Sequence, residues 1–227
     1  MHYQRCVQLV DAIILPGFRQ IMKILITGFE PFDGSMVNPS KQLLLLLDKV
    51  SIPGVSLVTS LLPVVNKHAS EALLSSLEQH NPDSVICLGQ ASGRSVISIE
   101  EVAINLLNFS VPDNEGTVIK DQKIYDDNPD AYFSTLPVSK LVNHLTIQKI
   151  PVEISYSAGT YLCNQVFFTL MHSLNKTGSK IPAGFIHLPA LPEQAAVTLK
   201  PIPSMSMETM FMALTEIIIY LNKISKK

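Results

Sequence analysis

Ser155-Tyr156-Ser157-Ala158-Gly159-Thr160-Tyr161-Leu162-Cys163-Asn164 is the segment on which the reading of this chain turns. Upstream, Pro151 to Ser155 alternates apolar and polar residues and predicts a strand. Downstream, Thr160 to Leu174 carries the periodicity of a helix, and the small residues between supply the turn. Strand, short turn and helix are the unit from which α/β folds are built. The same unit sets Cys163 in the first turn of a helix, where unpaired backbone N–H groups and the positive end of the helix dipole favour a thiolate. A second apolar strand, Gly184-Phe185-Ile186-His187-Leu188, places His187 24 residues after Cys163, where it can serve as a general base. A buried structural cysteine is the competing reading of a lone Cys.

Working outward, Lys23 to Thr27 reads as a buried strand closed by Gly28. Phe29 to Gly34 is a turn-rich loop with two aromatic residues, and Asn38-Pro39-Ser40 has the form of a helix start, for a helix reaching about Lys49. Val55 to Val64, Ser84 to Leu88 and Ala183 to Leu188 predict further strands; Lys67 to His80, Val138 to Gln148 and Met205 to Ile224 predict helices. Ser95 to Asn105 reads as one extended segment, and Asp121 to Asp130 as a surface loop. The alternation predicts a three-layer α/β/α fold around a mostly parallel, twisted sheet. Ligands of such sheets bind beyond the carboxyl ends of the strands. The loops after Thr27, Leu88, Ser155 and Ile186 are all expected there.

The 227 residues suit a single domain of this kind. Residues 1–22 read as an N-terminal extension outside the fold and 23–227 as the domain. Arg5, Asp11 and Arg19 surround only a short apolar patch, Ala12 to Leu15, which makes a poor signal peptide. Met22 stands directly before the first strand and is expected to lie close to the true start. A formal charge of −2 gives no support for nucleic-acid binding, and no apolar run reaches the roughly 18 to 20 residues that span a bilayer. Cys6, Cys87 and Cys163 are odd in number and scattered, which argues against a disulfide framework and for a reducing cytoplasm; no spacing suggests a metal site.

Cys163 as nucleophile and His187 as base require a carboxylate to orient the imidazole. Glu100 and Glu101 are the candidates, because both sit in an otherwise apolar segment and alternation turns one of them inward. A structural ion pair would explain that inward Glu equally well. His68, His80, His144 and His172 fall on or at the ends of helices among ordinary polar neighbours, and Cys87 falls inside an apolar strand.

Separated blocks of the chain resemble pyroglutamyl peptidase type I. They are Ile26 to Phe32 with Asn38-Pro39; Gly89-Gln90-Ala91-Ser92-Gly93-Arg94; Ile97 to Glu100 with Val102 to Asn105; Pro112-Asp113-Asn114-Glu115-Gly116; Ala131 to Pro137; Ser157-Ala158-Gly159 with Leu162-Cys163-Asn164; and Gly184 to His187 with Pro192-Glu193-Gln194. The resemblance implies a cytoplasmic cysteine exopeptidase that removes N-terminal pyroglutamate from peptides. It implies no metal or organic cofactor, and a homo-oligomer, tetramer or dimer, to which the apolar last helix could contribute. It puts the catalytic residues on Cys163, His187 and Glu100. It puts substrate-binding positions on Phe29, Phe32, Asn38, Val64, Gln90, Val111, Tyr161 and Leu162, with Arg94 as an oxyanion or supporting group. A catalytically weak relative that only binds pyroglutamyl peptides or small lactams is the alternative.

The chain departs from the family at Glu101 and Ser110, where Arg is usual. The second Arg lies beside the oxyanion hole in the family, and loss of one such donor costs about 2.7 to 4 kcal/mol. Glu101, if it came near His187, would favour the imidazolium and shift the pH optimum.

Overall fold

The computed structural model describes residues 21–226. The expectations for the chain before Ile21 lie outside the described residues. The strands are β1 (Met22–Phe29), β2 (Val55–Leu62), β3 (Ser84–Gln90), β4 (Ile97–Glu100), β5 (Val102–Ile104), β6 (Ala131–Phe133), β7 (Val152–Ser155) and β8 (Ala183–Leu188). The helices are α1 (Pro39–Leu47), α2 (His68–His80), α3 (Val138–Ile147), α4 (Leu162–Thr177), α5 (Pro192–Ala196) and α6 (Met207–Ile224). Six strands form the central sheet in the order β2-β1-β3-β8-β4-β7, and β5 and β6 form a small antiparallel ladder.

The neighbours β2–β1, β1–β3, β3–β8 and β4–β7 are parallel, and only β4–β8 is antiparallel. The sheet is thus mostly parallel, as alternation predicts, with one reversal at β4. This corrects one expectation. β7 runs with β4 and against the other four strands, so the loop after Ser155 does not leave from the edge shared by the loops after β1, β3 and β8. The chain returns to that edge through Tyr156 to Tyr161 before α4 begins. Met22 opens β1 opposite Val55 with its side chain buried.

The central strands β1, β3 and β8 are buried on both faces because helices cover both. On one face Ile24, Ile26, Ile86, Ile99 and Ile186 pack with Leu43 and Leu47 of α1, Leu141 of α3 and Ile217 of α6. On the other, Leu25, Val85, Cys87 and Phe185 pack with Leu73 of α2 and Val166 and Leu170 of α4. Among the described residues no helix is long and apolar enough to cross a membrane.

Two helix starts matter for the site. Asn38 caps α1: its Oδ1 accepts from the Ser40 N–H at 3.0 Å, and Pro39 fills the first turn, where no backbone donor is required. At α4 the cap position is Tyr161, which makes no side-chain capping bond. The first-turn N–H groups of α4 therefore carry no side-chain cap and face the space in front of the helix.

Candidate active site

His187 and Glu100 are brought together by strand register. Ser98 of β4 pairs with His187 of β8 in the antiparallel junction, so Glu100, two residues further along the same face of β4, is the diagonal neighbour of the imidazole. His187 Nδ1 donates to Glu100 Oε1 at 2.7 Å, which leaves Nε2 as the acceptor. The imidazole packs on Phe185, ring centres 4.8 Å apart. Glu100 is 0% and His187 4% exposed, so the pair is held out of water.

Arg94 joins the pair. Its Nη1 donates to the same Glu100 oxygen at 2.6 Å, and its Nη2 donates to the Ser157 carbonyl at 2.8 Å. The guanidinium therefore links the carboxylate to the turn that leads into α4. Glu101 is engaged elsewhere: its backbone N–H bonds to Ser155 and its carbonyl accepts from Ser134. The charged groups whose effect on His187 is resolved are Glu100 and Arg94. Ser110 is exposed and lies outside the cavity lining.

Cys163 is the second residue of α4 and is half-buried. The side chain of Asn164 fixes the helix start: its Nδ2 donates to the carbonyls of Ile104 (2.8 Å) and Leu106 (3.0 Å), and its Oδ1 accepts from the Ile104 N–H at 2.9 Å. Gly89 of β3, in register with His187, provides the seat for the sulfur. A Cβ at Gly89 would lie 2.8 Å from Cys163 Sγ and 2.8 Å from Phe185, closer than real atoms approach.

Charge states follow from these surroundings. Burial pushes the Cys163 thiol up to about 12, and the Glu100 charge adds to this; Arg94 and the Cys163 N–H oppose it. The helix-terminus argument for a resting thiolate is thus outweighed by desolvation, partly relieved because the sulfur borders an open cavity. Burial lowers His187 below its ordinary value, against the raising effect of Glu100. Burial alone would raise Glu100, yet the His187 hydrogen bond and charge, with Ser155 and Arg94, hold it below the usual carboxylate value. These directions favour a thiol, a neutral imidazole and a carboxylate at neutral pH.

Cys163 and His187 open on a cavity of about 510 Å³. Of the residues expected to bind substrate, Phe29, Phe32, Asn38, Val64, Gln90, Tyr161 and Leu162 line it, and so does Arg94. Val111 does not. It follows the exposed Ser110, and Tyr161 takes the wall there, with its ring edge-on to Phe109 at 4.6 Å and its hydroxyl bonded to the Pro112 carbonyl. Phe32 and Tyr161 approach each other across the cavity, ring centres 6.2 Å apart. Asn38 also holds the Phe29–Phe32 loop by donating to the Glu30 carbonyl at 3.0 Å. The roles of Asn164, Gly89 and the Ser157 carbonyl are not legible in the sequence. Their partners are distant along the chain, and only the presence of Asn164 beside Cys163 hints at a role.

Residues 22–223 match the family model described as pyroglutamyl peptidase. The chain belongs to this family. It is 44% identical over 187 residues to the pyrrolidone-carboxylate peptidase of Bacillus licheniformis, covering 82% of this chain and 86% of that one. It is 44% identical over 197 residues to that of Thermococcus onnurineus, covering 87% and 97%. Among solved structures, pyrrolidone carboxyl peptidase from Pyrococcus furiosus superposes with a TM-score of 0.86 at 41% identity, over 89% of this chain and 99% of that chain. Bacillus amyloliquefaciens pyroglutamyl peptidase I gives 0.84 at 37%, over 89% and 97%. The chain is therefore an enzyme of the pyroglutamyl peptidase type, in the α/β fold of that family.

Proposed function

We propose that this enzyme hydrolyses the N-terminal pyroglutamyl residue from peptides with Cys163 as nucleophile, His187 as general base and acid, and Glu100 as the group that orients the imidazole. The observation that carries the reading is the buried 2.7 Å bond from His187 Nδ1 to Glu100, with the imidazole and Cys163 bordering one cavity. Because thiol and imidazole are both neutral at rest, the proton leaves Cys163 Sγ for His187 Nε2 as the sulfur attacks the scissile carbonyl carbon. The Cys163 N–H stabilises the oxyanion, aided by the dipole of α4. Collapse breaks the C–N bond, His187 protonates the leaving amine, and a thioester remains. Water, activated by His187, then releases pyroglutamate and restores the thiol. Arg94 supports Glu100 rather than the oxyanion.

The five-membered lactam is compact and uncharged, which suits a cavity walled by Phe29, Phe32, Val64, Tyr161 and Leu162. Main-chain groups near Gln90 pair with the lactam N–H and C=O, and Asn38 holds the loop that carries the two phenylalanines. A free N-terminal ammonium would lose its hydration in this cavity without gaining a partner, at a cost of several kcal/mol. Among the described residues Cys87 and Cys163 are free thiols, which supports a cytoplasmic enzyme. Its partners are pyroglutamyl peptides and, through the exposed Met212 and Ile219 of α6, other copies of itself in a dimer or tetramer.

The test is hydrolysis of a pyroglutamyl-coumarin amide by the wild type and by Cys163→Ser, with glutamyl and prolyl amides as controls. Turnover of the pyroglutamyl amide alone, abolished in the variant, is the expected result. A folded wild type without turnover would instead favour binding without catalysis, which the absence of Arg at Ser110 supports, and Ser110→Arg would be the next variant to assay.

A further inference from the structure

A second cavity, of about 670 Å³, adjoins the first and shares Phe32 and Gln90 with it. Its apolar surface includes Met36 and Val197, which are 89% and 82% exposed, together with Val37 and Ile202. Isolated exposed apolar side chains are ordinary, but these converge on one concavity. The charged residues in its lining are Asp33 and Glu193, both acidic, one on the β1–α1 loop and the other on α5. Gln194 joins these two walls. Its Nε2 lies within bonding distance of Ser35 Oγ (3.1 Å), the Val37 carbonyl (3.2 Å) and Gln90 Oε1 (3.2 Å), while its Oε1 accepts from the Leu191 N–H at 2.9 Å.

We propose that this groove holds the leaving side of the peptide and selects apolar or basic residues after the scissile bond, with Asp33 and Glu193 disfavouring acidic ones. The inference rests on the pyroglutamyl peptidase reading above. A pyroglutamyl residue closes the N-terminus of its peptide, so no residue precedes it. Any groove continuous with the lactam cavity can receive only residues on the leaving side of the scissile bond. The leaving amine must face His187 to be protonated, and α5, which forms one wall of the groove, starts five residues after His187. The shape is apolar, and both charged side chains in the lining are negative, with no lysine or arginine among the lining residues to offset them.

Two exposed carboxylates acting on a side chain whose charge changes sign produce a preference of about tenfold at low salt. The test compares kcat/KM for pyroglutamyl-Lys-Leu-amide and pyroglutamyl-Glu-Leu-amide in the wild type and in the Asp33→Asn/Glu193→Gln double variant. Wild-type turnover of the pyroglutamyl-coumarin amide is measured alongside. The expected result is a preference of about tenfold for the lysyl peptide, expressed mainly in KM, shrinking with added sodium chloride and falling to within about threefold of unity in the double variant. Turnover of the coumarin amide with no charge preference in the wild type, or with a preference that survives in the double variant, overturns the groove assignment while leaving the peptidase reading intact. No turnover of the coumarin amide overturns both.

Discussion

The dyad and the lactam wall border the same cavity but are built by different means. Glu100 and His187 stand on paired strands, and the register that brings them together is fixed by a row of backbone hydrogen bonds and by apolar residues on the opposite sheet face. Phe32 stands on a loop whose turn needs left-handed backbone at Asp33 (φ 51°) and Gly34 (φ 72°). That loop is held by side-chain bonds from Asn38, Ser35 and Gln194. The contrast teaches that the geometry proposed for proton transfer is part of the fold, whereas the wall proposed for selectivity is a separate piece tied on by a few polar side chains. Damage to the first should appear in kcat, and damage to the second in KM.

The sharpest way to break this division is Glu100→Gln. The proposal expects kcat to fall by about 10³ to 10⁴ with KM little changed. The carboxylate raises His187 and Arg94 lowers it, so its removal carries His187 further below its ordinary value. The acid limb of kcat/KM should then move to lower pH, and a limb moving to higher pH would contradict the assignment. Gly89→Ala comes next. Its methyl group displaces Cys163 Sγ, and kcat should fall about 10²-fold, because misplacement of a reacting atom by about 1 Å has that effect. A normal kcat would show that the sulfur does not need its seat on β3.

Asn38→Ala tests the loop-borne side. Loss of the α1 cap and of the bond to Glu30 should raise KM about tenfold, keep kcat within about threefold, and destabilise the protein by about 1 to 3 kcal/mol in a urea titration. A collapse of kcat at unchanged KM would erase the distinction between the two regions. Glu101→Gln should have the smallest effect, with the acid limb unmoved, since strand alternation turns Glu101 away from Glu100 and His187. A displaced limb would show that its charge reaches the imidazole after all.

The sequence is most legible where burial repeats. The apolar strands and the long helices α4 and α6 follow from periodicity, and Cys163 at the start of α4 follows from the strand–turn–helix pattern. Short elements escape, because β6 and α5 have three and five residues, too few to show a period. The extended segment from Ser95 to Asn105 is divided at Glu101, whose backbone bonds to Ser155 on one side and Ser134 on the other, partners that no local pattern reveals. The reversed β4 is hidden for the same reason, since strand direction depends on the path of the whole chain. Arg94 is legible as a supporting group, but its grip on Glu100 and Ser157 is a long-range fact. Val111 shows the reverse limit: a motif position can be matched by a residue that does not line the cavity.

The antiparallel junction between β4 and β8 also bears on how the enzyme comes into being. Residues 100 and 187 are separated by 87 positions, and they meet only when β4 pairs with β8. Contacts of such long range form late, because the loop entropy must be overcome before the pairing rewards it. Recovery of catalysis on refolding should therefore lag behind recovery of helical circular dichroism, which makes activity a clock for the docking of β4 against β8.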